Sequence, residues 1–163
     1  VGTGGPGWKG TLALKEKLLV SACLLGENCK YSGGNNYTPE VEALRAQYEF
    51  VPVCPEQLGG LPTPRSPAER TGARVVNRDG ADVTEAFRLG AEKTLETARM
   101  LGITKALFQV RSPSCGSGTI YDGTFSGTLA SGSGVTAELL EENGIKIYPS
   151  NRIPLLLAEK GEL

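Results

Sequence analysis

Short apolar runs alternate along this chain with segments of helical period, and three of the runs end alike. Leu18-Leu19-Val20, Phe50-Val51-Pro52-Val53 and Ala106-Leu107-Phe108-Gln109-Val110 read as buried strands. Each is followed by a cysteine, Cys23, Cys54 or Cys115, in a turn rich in Gly, Pro or Ser. Between the first two, Thr38-Pro39-Glu40 starts a helix with a cap and a first-position proline, and Val41, Leu44 and Tyr48 give it an apolar face. Arg74 to Asn77 with the Arg78-Asp79-Gly80 turn predicts a small β excursion. Asp82 then caps a long helix whose stripe is Val83, Phe87, Ala91, Leu95 and Ala98, stopped at Gly102. A helix from Val135 to Asn143, a strand from Ile145 to Tyr148 and a closing helix from Ile153 to Lys160 complete the pattern.

Strands alternating with helices predict an α/β fold: a three-layer, Rossmann-like open sheet, mostly parallel, with its site at the carboxyl edge of the strands. Residues 1–16 read as a flexible or edge leader, because Gly2, Gly4, Gly5, Pro6 and Gly7 support no regular element. Residues 17–163 read as one α/β domain. Two stretches resist regular structure. Pro55 to Pro67 is too rich in Pro and Gly for a helix or central strand, and Ser112 to Gly118 is a loop of small residues. Gly116-Ser117-Gly118 and Gly132-Ser133-Gly134 are most simply tight turns; as backbone nests they would hold a carbonyl or a phosphate.

The chain has 163 residues, a formal charge of −1, four cysteines and no histidine. Composition therefore excludes Ser-His and Cys-His catalysis and mixed Cys/His zinc sites. A near-neutral balance supplies no field for non-specific nucleic-acid binding, and no apolar run approaches the roughly 20 residues of a membrane span. The expectation is a cytoplasmic protein with a small-molecule partner. Arg65, Arg70, Arg74 and Arg111 read as dispersed, solvated charges. Widely spaced cysteines without a secretory signal point to metal or catalysis rather than to disulfides.

Taken singly, each cysteine is a small core hydrophobe. Taken together, three thiols beyond the ends of parallel strands would meet at one edge, beside backbone thinned by Gly and Pro. Thiolates suit zinc, copper(I) or iron–sulfur clusters. Cys29, in the loop after Cys23, would either close a four-thiolate site or stand free, and only three ligands would leave a metal open as a Lewis acid. Glu56 arrives with Cys54 and is the natural proton-transfer group, its plainer role being a turn cap. Ser112 and Ser114 arrive with Cys115 as hydrogen-bond donors or relays, and Ser114 with Gly116 are the candidates for holding a substrate.

Ser21-Ala22-Cys23-Leu24-Leu25-Gly26, Val53-Cys54-Pro55-Glu56 through Gly59-Gly60-Leu61-Pro62-Thr63-Pro64-Arg65, and Ser112-Pro113-Ser114-Cys115-Gly116 with Tyr121-Asp122-Gly123-Thr124-Phe125 resemble the thiouracil desulfurase family. The resemblance implies a [4Fe-4S] cluster held by Cys23, Cys54 and Cys115 with one iron open. It implies non-redox hydrolysis of a thiolated pyrimidine such as 2-thiouracil to uracil and sulfide, the thiocarbonyl sulfur binding that iron. Glu56 would handle protons and Ser112 would assist. The partner would be the small substrate, without membrane or nucleic acid, and the chain a monomer or homodimer. Two rival readings are a non-catalytic iron–sulfur or zinc protein serving as sensor or carrier, and a desulfurase of thiolated nucleosides or tRNA. Four-cysteine ligation without turnover would mark the former.

Overall fold

Six residues, Glu16–Ser21, form β1, the hub of the sheet. It pairs in parallel on one side with β2 (Tyr48–Val53) and on the other with β5 (Lys105–Phe108), which pairs in parallel with β8 (Lys146–Pro149). The order β2-β1-β5-β8 is therefore that of an all-parallel, four-stranded sheet. The structure, a computed structural model, describes residues 15–159. Of the expected leader, residues 1–14 lie outside the described residues, and Glu16 opens β1.

Strand residues alternate between two cores, as a sheet covered on both faces requires. Leu18, Val20 and Leu107 pack with Val41, Leu44, Ile153 and Leu156 on one face. Leu19, Ala106 and Phe108 pack with Leu95, Ala98, Ala137 and Leu140 on the other. The second face is covered by α2 (Thr84–Leu101) and α3 (Val135–Glu142), and the first by α4 (Ile153–Leu157) and a 3-10 helix at Pro39–Ala46. This is the three-layer arrangement expected. The Pro39–Ala46 segment corrects the α-helix expected there. Val41 and Leu44, three apart, share one face of a 3-10 helix equally well, and Tyr48 belongs to β2.

Two hairpins project beyond the sheet: β3 (Ala68–Thr71) with β4 (Arg74–Asn77), and β6 (Thr119–Tyr121) with β7 (Leu129–Ser131). The expected turn at Arg78-Asp79-Gly80 is present, Gly80 N–H donating to Asn77 O at 2.9 Å, but it leads towards α2 rather than closing the hairpin. Asp82 Oδ1 accepts from Thr84 N at 2.9 Å where a helix cap was expected, and Gly102, at φ 68°, ends α2 in the left-handed conformation. Lys160, the expected end of the closing helix, lies outside the described residues.

Candidate active site

From β1 the chain leaves to β2 on one side and later returns to β5 on the other, so the carboxyl ends of β1 and β5 flank a topological switch point. Here lies a cavity of about 450 Å³. Cys23, Cys29, Cys54 and Cys115 all line it, together with Glu56, Arg65, Ser112 and Ser114. All four cysteines are free thiols; three are buried and Cys54 is half-buried.

Each group is delivered by a short local device. Cys23 sits in a 3-10 turn, Ala22–Leu25, ended by Gly26 at φ 95°. Cys54 precedes α1 (Pro55–Leu58), a single turn started by proline that aims Glu56 at the cavity. α1 crosses α2 backbone to backbone at Gly59 and Gly90: a Cβ at Gly90 would overlap the carbonyl oxygen of Pro55. The Ser112–Cys115 loop follows Arg111, a non-glycine residue in the left-handed region at φ 64°. Its floor is the amino end of α3, where Val135 N donates to Pro113 O and Thr136 N and Ala137 N donate to Ser114 O, at 2.9, 2.9 and 3.0 Å. The helix-start nest imagined for an outside anion is thus filled by the protein's own carbonyls. Gly116 is a further correction. It is buried beneath the loop, where a Cβ would stand 2.8 Å from Ser112 N and O, and it does not line the cavity.

Glu56 is the centre of a directed hydrogen-bond chain. Arg65 Nε donates to its Oε1 at 2.8 Å, and Ser114 Oγ donates to its Oε2 at 3.0 Å. A carboxylate only accepts, so the Ser114 proton is committed, and Ser112 must be the donor in the 3.0 Å contact between the two hydroxyls. Ser112 Oγ in turn accepts from Ser114 N at 3.1 Å and Cys115 N at 3.0 Å. Ser114, a candidate substrate holder in the sequence, is 2% exposed and occupied as the link between Glu56 and Ser112.

Cys29 stands among the other thiols. Its carbonyl lies 3.7 Å from Cys54 Sγ. Hydrogen bonding to Cys23 and Cys54 holds the proton on Cys29, whose thiol is pushed well above the usual range. The same bonds lower Cys23 and bring Cys54 down to about 7. Asn36 Nδ2 adds a donor to Cys23 Sγ at 3.3 Å. Burial pushes Cys115 up to about 12, against hydrogen bonding with Ser21 and Ser114 that lowers it.

The rim carries Lys30, Arg78 and Arg111, with Tyr31, Tyr121 and Phe125. Phe125 is in the left-handed region at φ 56°, its N–H held by Glu69 Oε1 at 3.1 Å, and Arg78 lies 5.5 Å over its ring. Sequence reasoning missed Asn36, Arg78 and Phe125 as site residues and misjudged Arg65, whose side chain is only 7% exposed. The one available signal for Arg65 was its place at the end of the Pro- and Gly-rich segment that follows Glu56.

Fold and site together define an α/β protein with a thiol-lined pocket at the switch point of a parallel sheet. The chain belongs to the 2-thiouracil desulfurase family, whose model matches residues 18–152. The uncharacterized protein YbbK of Bacillus subtilis (strain 168) is 42% identical over 146 residues, 83% of this chain and 97% of its own length. A solved structure, the [4Fe-4S]-dependent thiouracil desulfidase TudS (DUF523Vcz), superposes with a TM-score of 0.85 at 43% identity, over 91% of this chain and 100% of that one. No helix among the described residues is long and apolar enough to cross a membrane.

Proposed function

We propose that this chain is an iron–sulfur-dependent desulfurase that hydrolyses a thiolated pyrimidine such as 2-thiouracil to uracil and sulfide. The observation that carries the reading is the meeting of Cys23, Cys54 and Cys115, from three adjacent strands, in one cavity with the Glu56 carboxylate. The donor set fits a [4Fe-4S] cluster. All the soft ligands are thiols, and the chain has no histidine. Asn36 beside Cys23 supplies a donor to ligand sulfur.

Cys23, Cys54 and Cys115 would hold the cluster, and Cys29 would remain a protonated neighbour. When bound, the cluster supplies an iron without a protein ligand, a Lewis acid for the thiocarbonyl sulfur. The remaining chemistry falls to the chain. Glu56 takes a proton from the attacking water at Oε2, which turns that oxygen from acceptor to donor and reverses the chain. Ser114 then donates to Ser112, and the Ser112 hydroxyl is released to donate into the cavity, where nitrogen or departing sulfur needs a proton. The pyrimidine and water are consumed, and uracil and hydrogen sulfide result. The protein acts on a small molecule, as a monomer or homodimer and without nucleic acid.

A second reading, thiolated nucleosides as substrates, is favoured by one observation: the cavity is wide, and its rim carries Lys30, Arg78 and Arg111. The test is anaerobic purification with iron and acid-labile sulfide analysis, then incubation with 2-thiouracil and with thiolated nucleosides while desulfurised product and sulfide are recorded. About four irons per chain with sulfide release is the expected result. Zinc in place of iron after failed reconstitution, or iron without turnover of either substrate class, overturns the catalytic reading.

A further inference from the structure

We infer that Arg65 is a positioning residue for the desulfurase reaction, acting through Glu56; the inference rests on the proton-handling reading of Glu56 given above. Three observations lead there. First, the pair is secluded: the Arg65 and Glu56 side chains are 7% and 14% exposed, with Arg65 Nε 2.8 Å from Glu56 Oε1. Second, the guanidinium's other hydrogen bonds anchor it to main chain or to the same loop. Nη1 donates to Pro62 O at 3.1 Å and Thr63 Oγ1 at 2.9 Å, and Nη2 donates to Cys29 O at 2.9 Å. The planar fork therefore has one orientation, which a lysine point charge would not reproduce. Third, Glu56 is completed by this contact. Its other oxygen belongs to Ser114, so removing the guanidinium leaves the carboxylate held at one oxygen and free to swing about it.

The segment after α1 exists to make this return. Leu61 N donates to Glu56 O at 3.1 Å, Gln57 Nε2 to Thr63 Oγ1 at 2.8 Å, and Arg65 N to Tyr31 O at 2.8 Å. Nine positions after Glu56, the chain has doubled back over it. Arg65 thus joins the two loops that carry Cys29 and Cys54 and fixes the carboxylate between them. Outer partners of this kind, when removed, cost about 10- to 100-fold in activity.

The test is a double-mutant cycle on the cluster-loaded enzyme, with kcat, KM, iron content and amide hydrogen exchange read for each variant. Arg65→Gln is expected to lower kcat about 10- to 100-fold, with KM and iron content near those of the parent. In a Glu56→Gln background the same change is expected to cost nothing further, because the group it positions is gone. Arg65→Lys, which keeps the charge without the fork, should fall between. The exchange readout is independent of turnover. The amides of Ser114 and Cys115, which both donate to Ser112 Oγ, should exchange faster in Arg65→Gln and Glu56→Gln alike, and no faster in the double variant. Should Arg65→Gln fail to fold, Arg65→Lys with and without Glu56→Gln carries the same cycle. An equal, multiplying loss in the Glu56→Gln background, or iron lost in step with activity, overturns the inference while leaving Glu56 in its role. A Glu56→Gln enzyme as active as the parent refutes the reading of Glu56 and the positioning role with it.

Discussion

Gly90→Ala sets two magnitudes of opposite sign against each other. Gly90 lies within α2, where alanine is favoured over glycine by about 1 kcal/mol. Against this stands the crossing with α1. The new Cβ would overlap Pro55 O and stand 2.8 Å from Pro55 C and 3.2 Å from Gly59 N, so both approaches must open towards the 3.4 Å of ordinary contact. Pro55 O also accepts the Gly59 N–H at 2.9 Å, and the intruding methyl group enters that bond. Overpacking costs about 1–3 kcal/mol, and a clash with backbone rather than with a flexible side-chain tip belongs at the upper end. The net is a loss of about 2 kcal/mol, which for a chain of this size lowers Tm by about 4–8 °C. Relief requires α1 to retreat from α2, and α1 carries Glu56. A displacement approaching 1 Å at a reacting group costs up to about 100-fold, so the smaller shift here should lower turnover about tenfold even below the new Tm. Calorimetry and steady-state sulfide release, both on anaerobic protein, read the two effects. A variant at least as stable as the parent, as helix propensity alone would give, or one destabilised with unchanged kcat, would refute the claim that the Gly59–Gly90 contact sets the position of Glu56.

Replacing Cys23, Cys54 or Cys115 by Ala should each abolish the cluster, whereas Cys29→Ser should keep about four irons per chain; loss of iron from Cys29→Ser would assign it as a ligand. Ser114→Ala separates Glu56 from Ser112 and should lower kcat about tenfold at unchanged iron content, which iron analysis beside turnover will check. In cluster-free protein the thiols should alkylate in a fixed order. The Cys54 value is depressed to about 7, so its thiolate appears as pH rises through 7, and it is the one half-buried thiol of the four. Cys115, raised to about 12 and buried, should stay unmodified by iodoacetamide through neutral pH; peptide mapping that finds Cys115 modified first would contradict this.

The sheet was legible because its strands are buried on both faces. Leu18-Leu19-Val20 and Ala106-Leu107-Phe108 are apolar without interruption, and that pattern has few readings once helices of 3.6 period separate the runs. The hairpins were not. Ala68-Glu69-Arg70-Thr71 has no apolar face, and Leu129, Ala130 and Ser131 are all exposed, so neither strand leaves a period in the sequence. The exception is the β excursion expected at Arg74 to Asn77 with its Arg78-Asp79-Gly80 turn: that segment is β4, and across the turn Val76 bridges to Asp82, but nothing in the turn announces that β4 also pairs with Ala68–Thr71. In the site, Cys23, Cys54, Cys115 and Glu56 could be placed because each follows a strand end. Arg65 and Asn36 could not, because their positions come from loops folded back on themselves, and the hydrogen bonds that bring them to Glu56 and Cys23 follow no strand or helix period.

The same contrast separates the rigid half of the pocket from its adaptable half. Beneath the thiols and Glu56, backbone meets backbone at Gly59 with Gly90, at Gly116 with Ser112, and at Gly134 with Ser114, and a single added Cβ is too much at each. Displacement there would move a proposed cluster ligand or the proposed proton relay, so those positions leave no room for variation without loss of the reacting geometry. Across the cavity, the wall is made of side chains on a hairpin and loops: Arg78, Tyr121 and Phe125, with Glu69 binding the Gly123 and Phe125 N–H groups. Phe125, in the left-handed region, is held there by that carboxylate at its N–H and by Arg78 over its ring. Substrate range should therefore change through Glu69, Arg78 and Phe125, and the chemistry should fail only when the glycine-lined floor is altered.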